Sequence, residues 1–118
     1  MGSFLDADCT CGYRACTNVG AGMETFMSKC WFPFHCPQCR ALVNADTMAA
    51  APVCPECASA EIVPYSDPSL EGEIGAREVV SWNQGGDAKK RLSLTDGSYL
   101  CPGCRTTGLR FRLSCGYD

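Results

Sequence analysis

Cys36-Pro37-Gln38-Cys39, then fourteen residues, then Cys54-Pro55-Glu56-Cys57: the fold of the chain follows from this pattern. Two C-x2-C pairs at that separation place four thiolates around one tetrahedral metal ion. Zinc–sulfur bonds of about 2.3 Å require all four sulfurs within a few ångströms of one another. A C-x2-C turn brings two sulfurs together and aims the following backbone N–H groups at them. Pro37 and Pro55 pre-set φ near −65° just after the first ligand, which lowers the entropy cost of that turn. The N–H···S contacts offset the accumulating negative charge, and Arg40, directly after a ligand position, adds a positive side chain.

A third pair, Cys101-Pro102-Gly103-Cys104 followed by Arg105, has no complementary C-x2-C of its own. Its expected partner is Cys9-Thr10-Cys11-Gly12-Tyr13, far upstream, where Gly12 suits a turn through φ > 0. Cys9, Cys11, Cys101 and Cys104 would then form a second site and bring the two ends of the chain together. Closing so long a loop costs little more than closing one half its length. A rival arrangement uses Cys115, whose Cys-Gly-Tyr repeats Cys11-Gly12-Tyr13: Cys11 and Cys115 would complete the site with Cys101 and Cys104. A further variant recruits Cys16, or Cys30 and His35, into a third site. The plainer reading makes Cys16 and Cys30 small buried hydrophobes, and gives His35, the single histidine, a structural role.

Eleven cysteines in 118 residues signal a stapled fold, by disulfides or by metal. The N-terminal Met1-Gly2-Ser3-Phe4-Leu5-Asp6 has neither the basic start nor the apolar run of a signal peptide. The cysteine count is odd, and six of the eleven sit in C-x2-C pairs, each with proline after the first cysteine. Those features favour chelation by about two zinc ions per chain in a reducing, cytoplasmic setting. No apolar run approaches the ~18 residues of a membrane span, and Asp6 stands where a myristoylation signal needs Ser or Thr. The formal charge of −3 becomes about −7 once two four-thiolate zinc sites, each contributing −2, are counted. That balance is poorly suited to sequence-independent binding of a phosphate backbone.

The expected architecture is a small, mainly-β, metal-stabilised fold of short antiparallel strands, a single domain over 1–118. Residues 1–8 read as a lead-in and residues 17–24 as a Gly-rich turn or loop. Gly20-Ala21-Gly22 lacks the context of a phosphate cradle. Residues 25–35 read as a strand ending near Pro33, with Trp31, Phe32 and Phe34 packed beside the first site. Ala41-Leu42-Val43 is a second strand. Asp46 to Ala51 is a turn or one helical turn capped by Asp46, and Glu61 to Tyr65 is an edge strand. These complete a central ribbon over about 25–65. Residues 66–77, acidic and broken by Pro68, Gly72 and Gly75, form a linker or surface loop. In the C-terminal β segment, about 78–118, Glu78 to Trp82 is a strand and Gly85-Gly86-Asp87 a turn. Leu92 to Thr95 and Ser98 to Leu100 are predicted to pair across a two-residue Asp96-Gly97 hairpin. Leu109 to Leu113 alternates apolar and arginine with period two. This segment joins residues 9–13 in a second ribbon if Cys9 and Cys11 partner Cys101 and Cys104.

The doubled Cys-Pro-x-Cys of Cys36–Cys57, with apolar strands entering and leaving it, resembles the zinc-ribbon family within the rubredoxin-like fold group. The two ends, Cys9–Tyr13 and Cys101–Cys104, look like a second, split version, and the whole chain is similar to small bacterial zinc-ribbon proteins of uncharacterised role. The resemblance implies a fold and a structural metal; zinc ribbons serve transcription factors, ribosomal proteins, enzymes and adaptors alike. The expected function is therefore a non-enzymatic zinc module that binds a protein partner. Nucleic acid is a second candidate partner, through Lys89, Lys90, Arg91, Arg110 and Arg112 beside Trp82 or Tyr99. The alternative is electron transfer through iron held by four cysteines, as in rubredoxins. Against it, rubredoxin knuckles commonly place glycine after the second ligand, where this chain has Arg40, Ala58 and Arg105. Thiol–disulfide exchange lacks the helix that activates its cysteine, and one histidine leaves little from which to build a hydrolytic site.

Overall fold

The computed structural model describes residues 2–25 and 27–117, and for 115–117 the backbone alone. Every regular element longer than three residues among them is a strand, and the helical turns are three short 3-10 segments. The first strand, β1 (Gly2–Cys9), is the stretch expected to be a lead-in. Its alternation accounts for it: Leu5 and Ala7 are buried at 0% and 1% exposure, while Phe4 is 44% exposed. β1 pairs antiparallel with β2 (Arg14–Gly20) on one side and with β8 (Leu109–Tyr117) on the other. The expected loop over 17–24 is therefore half strand: Thr17 and Val19 are buried in β2, and the chain turns only after Gly20.

A second hairpin joins β3 (Trp31–Cys36) to β4 (Ala41–Asp46), in register from Trp31–Asp46 to Cys36–Ala41. The strand expected from residue 25 thus begins only at Trp31. The described residues 22–25 and 27–29 turn instead, with Lys29 N–H and Ser28 N–H both donating to the Thr25 carbonyl; Phe26 lies outside the described residues. Asp46 closes β4 as expected, its carboxylate accepting from Met48 N–H and from Cys30 N–H, both at 2.9 Å. The short β5 (Val63–Pro64) pairs with β3 alone, which is the edge position its proline requires. The sheet order is β4-β3-β2-β1-β8; the two hairpins share the single backbone pair Gly20–Trp31 and, beyond it, side-chain hydrogen bonds of Asn44 with Thr17 and Asn18.

β6 (Glu78–Asn83) and β7 (Arg91–Thr95) form a separate two-stranded sheet, joined by 3-10 turns over 84–90. This corrects the expected hairpin about Asp96-Gly97. The Asp96 carboxylate is taken up by Ala76 N–H and Arg77 N–H, and Ser98 N–H donates to the Glu73 carbonyl. The Tyr99 backbone bridges to Glu71 and Leu109 instead of β7, which it meets through its hydroxyl, accepting from Thr95 N–H at 2.9 Å. The same bonds settle the 66–77 segment as a docked surface loop, with Leu70 buried and its carbonyl accepting from Leu100 N–H at 2.8 Å.

The core lies between the hairpins and this C-terminal segment. Tyr65, Tyr99 and Phe111 meet edge-on with ring centroids 5.3 to 6.0 Å apart, the quadrupole-favoured arrangement. Phe32 and Phe34 are buried as expected, whereas Trp31 is 36% exposed under the Lys29 ammonium. No helix among the described residues is long and apolar enough to cross a membrane.

Candidate metal centres

Each hairpin carries a pair of cysteines at its tip. The β3–β4 tip holds Cys36 and Cys39, and the loop 47–62 returns Cys54 and Cys57 to it. The β1–β2 tip holds Cys9 and Cys11, and the chain returns Cys101 and Cys104 to it from the far end. In both cases the next strand pairs antiparallel with the first strand of its hairpin: β5 on β3, β8 on β1. The two units share one wiring, the central one nested in sequence inside the outer.

The turns are built alike. Cys54 N–H donates to the Ser59 carbonyl and Cys101 N–H to the Thr106 carbonyl, closing each loop, while Ala58 N–H and Arg105 N–H return to the carbonyls of Cys54 and Cys101 at 2.8 Å. Such a turn drives the residue after the second cysteine into the left-handed region. Arg40, Ala58 and Arg105 have φ of 53°, 62° and 61°, and are the non-glycine residues of positive φ among those described. In the fourth half-site Gly12 takes that place at φ 101°, and Cys9 N–H closes the shorter turn on the Tyr13 carbonyl. The lack of glycine after Cys39, Cys57 and Cys104 therefore does not exclude the rubredoxin-type turn. The backbone adopts it with other side chains, so residue type there does not separate iron from zinc.

In each group the four sulfurs lie within 4.8 Å of one another. A tetrahedral ion with bonds of about 2.3 Å sets its ligand sulfurs about 3.8 Å apart. Cys36–Cys57 and Cys39–Cys54 are separated by 3.6 and 3.8 Å. Cys9–Cys104 and Cys11–Cys101 are both separated by 3.7 Å. A disulfide would need about 2.05 Å. Two four-cysteine groups, each compatible with one metal ion, follow from these distances.

Donors surround the sulfurs. Cys39 N–H points at Cys36 Sγ and Glu56 N–H at Cys54 Sγ, both at 3.4 Å. Thr106 Oγ1 lies 3.0 Å from Cys104 Sγ, a neighbour that spacing alone does not reveal. The Thr106 hydroxyl and N–H bring the Cys104 thiol down to about 6. At Cys54 burial acts upward, but the N–H groups of Cys57 and Glu56 with the adjoining thiols outweigh it and bring the thiol to about 7. Their companions move the other way. Hydrogen bonds with Cys57 and burial push Cys39 up, and burial chiefly pushes Cys101 up to about 12. Without a cation Cys54 and Cys104 thus favour the thiolate, while Cys39 and Cys101 resist it; a nearby divalent cation favours the thiolate at every ligand.

The remaining cysteines stand apart. Cys16 is exposed on β2, not buried as its packing reading required, and it donates to Asp6 at 3.5 Å. Cys30 is fully buried beside Thr47 and Asp46, the small hydrophobe expected. The Cys115 side chain lies outside the described part; its backbone pairs with Phe4 in β8. Among the described residues neither Cys16, Cys30 nor His35 joins a group of three or more ligating side chains. His35 turns an edge to Tyr65, and burial with the nearby Arg105 charge lowers its pKa, so the ring is neutral. The basic residues are dispersed among carboxylates: Arg91 meets Glu78 at 2.7 Å, and Arg110 and Arg112 meet Glu73 and Asp8 at 3.1 Å. Tyr99 is 2% exposed and offers no stacking face.

No protein-family model, curated protein or solved structure matches the chain.

Proposed function

We propose that this chain is a zinc-stabilised binding module, with structural zinc held by Cys36, Cys39, Cys54 and Cys57 and by Cys9, Cys11, Cys101 and Cys104, and no catalysis of its own. The carrying observation is the pair of closed four-sulfur groups at tetrahedral spacing. Four thiolates fill the coordination of zinc and leave no position for water or substrate. The ion would fasten a loop to a hairpin tip in each ribbon, a cross-link of the kind small domains use to supplement a modest core. A reducing compartment is the setting such thiolates need.

A protein partner is favoured over nucleic acid by charge. The chain is acidic, and three of its candidate phosphate-binding arginines already face carboxylates. Exposed Met23 and Met27 on the turn before β3, at 67% and 61%, are adaptable apolar contacts of the kind that protein surfaces use.

Elemental analysis of the purified, reduced chain tests the metal, with two zinc ions per chain expected. Removing them with a strong chelator should abolish the near-UV circular dichroism, because structural zinc supplies folding free energy of roughly 10–16 kcal/mol per site. A coloured protein holding iron after iron-replete expression would replace this reading with electron transfer through four-cysteine iron. Gel-shift titration at low and moderate salt tests the partner class. Retention of DNA or RNA at moderate salt would overturn the preference for protein.

A further inference from the structure

We infer that the two four-cysteine centres are coupled through Tyr13, so that metal at one strengthens metal binding at the other. The inference rests on the reading of both groups as metal sites. Tyr13 directly follows the Cys9–Cys11 tip, and its carbonyl closes that turn by accepting from Cys9 N–H at 3.0 Å. Its ring lies across the other half of the same centre: a Cβ on Gly103, inside Cys101–Cys104, would stand 3.1 Å from Tyr13 Cδ1. Its hydroxyl reaches the other ribbon and accepts from Leu42 N–H at 2.9 Å.

Leu42 is the second residue of β4, three residues beyond Cys39, and is 9% exposed. β4 is an edge strand, paired with β3 alone. Tyr13 therefore satisfies the outward Leu42 N–H on the open edge of the hairpin that carries Cys36 and Cys39. Metal at Cys36–Cys57 holds that hairpin closed and fixes the Leu42 N–H. The fixed N–H orients Tyr13, and Tyr13 holds the Cys9–Cys11 and Cys101–Cys104 turns against each other.

The outer centre has most need of such help. Its paired cysteines lie 95 residues apart in sequence, against 21 at the inner centre. Loop-closure entropy alone makes the longer loop about tenfold harder to close. Coupling in binding free energy is reciprocal, so the outer centre must strengthen the inner by the same factor.

Cobalt(II), titrated into the reduced, metal-free full chain against a chelator of known affinity, reads both steps through thiolate-to-cobalt absorption. Tyr13→Phe removes one oxygen and leaves Leu42 N–H without its acceptor. It is expected to weaken the outer centre about tenfold in the otherwise intact chain. In a Cys39→Ser chain, where the inner centre is disabled, the outer centre should already be weaker by that factor, and adding Tyr13→Phe should change nothing further. If Cys39→Ser abolishes cobalt binding altogether, the reciprocal background, Cys104→Ser, decides: the inner centre should weaken about tenfold, again with no added effect of Tyr13→Phe. Equal weakening by Tyr13→Phe in the intact and disabled chains would make Tyr13 a local support of its own turn and overturn the coupling. Unchanged affinity in the intact chain would overturn it equally. Fewer than two cobalt ions on the wild-type chain would instead overturn the metal-centre reading on which the coupling rests.

Discussion

Replacing Ala58 with glycine should make this protein more stable, against the usual effect of introducing glycine. Ala58 follows Cys57 at φ 62° and is exposed, so its methyl group contributes little packing. An L-residue held in the left-handed region costs roughly 1–2 kcal/mol, because Cβ crowds the following carbonyl. Glycine removes that cost and adds back about 0.5–1 kcal/mol of unfolded-chain entropy. The balance is a gain of roughly 0.5–1 kcal/mol. For a chain of this size that is about 2–5 °C in Tm, or about 0.3–0.5 M in a urea midpoint. The assay is urea unfolding followed by near-UV circular dichroism, in reductant and at one fixed excess of zinc, since metal activity itself moves the midpoint. Ala58→Val, which puts a branched side chain into the same backbone, should lose more than glycine gains. Arg40→Gly and Arg105→Gly relieve the same strain at φ 53° and 61° but remove a cation beside four thiolates, so each should gain less than Ala58→Gly. A glycine variant less stable than wild type by about 0.5 kcal/mol or more would place Ala58 in ordinary backbone and refute the turn geometry on which both centres depend.

Cys39→Ser should be far more destabilising than Cys16→Ser, which lies at an exposed position outside both groups and should unfold within about 0.5 kcal/mol of wild type; similar melts for the two would undo the ligand assignment. Tyr65→Phe deletes the hydroxyl that donates to the Leu100 carbonyl at 2.8 Å, and should cost about 1–2 kcal/mol in the same urea assay with zinc content unchanged. Loss of zinc in that variant would mean that Tyr65 supports a centre directly. Cys16 offers a test by pH. Its hydrogen bond to Asp6 and that carboxylate's charge raise its pKa above 9.0, so the thiol stays protonated at neutral pH. Iodoacetamide should therefore label it more slowly at pH 8 than a free cysteine peptide, the rate climbing only as pH passes 9; faster labelling than the peptide contradicts the Asp6 contact.

Much of the site is legible in the sequence. Cys36, Cys39, Cys54 and Cys57 announce themselves because C-x2-C is a local constraint: both sulfurs of a pair are placed by one turn, and the two turns are fourteen residues apart. The strands around them were legible where alternation is strong, as in Leu109–Phe111, and at Ala41–Val43 leaving the first cysteine pair. β1 was readable too, since Leu5 and Ala7 alternate with Asp6 and Asp8, but its position ahead of the first cysteine disguised it as a lead-in. The β7 partner was not legible. Asp96-Gly97 has the composition of a hairpin turn, but the Asp96 carboxylate is committed to Ala76 N–H and Arg77 N–H, and residues 73–75 pack where a Gly97 side chain would stand, none of them within a window around the turn. The basic run was misleading for a related reason. Lysines and arginines can be counted in sequence, but Glu78, Glu73 and Asp8 come beside the arginines only through pairing and packing across the fold.

Composition and spacing alone carried the chemistry: eleven soft ligands, six of them paired by C-x2-C spacing, in a chain too short of helix-forming pattern to be anything but mainly β. They could nominate Cys9 and Cys11 as partners of Cys101 and Cys104, yet Cys115 stood as a rival, because its Cys-Gly-Tyr repeats Cys11-Gly12-Tyr13. Which four sulfurs of the outer set meet at tetrahedral spacing is a property of the folded chain, since that choice depends on β8 lying beside β1 and on the two tips facing one another. The left-handed turn after the second cysteine, which residue type had argued against, belongs to the same category. It is imposed by backbone bonds around each turn, and alanine or arginine bears it at a cost that the rest of the fold sustains.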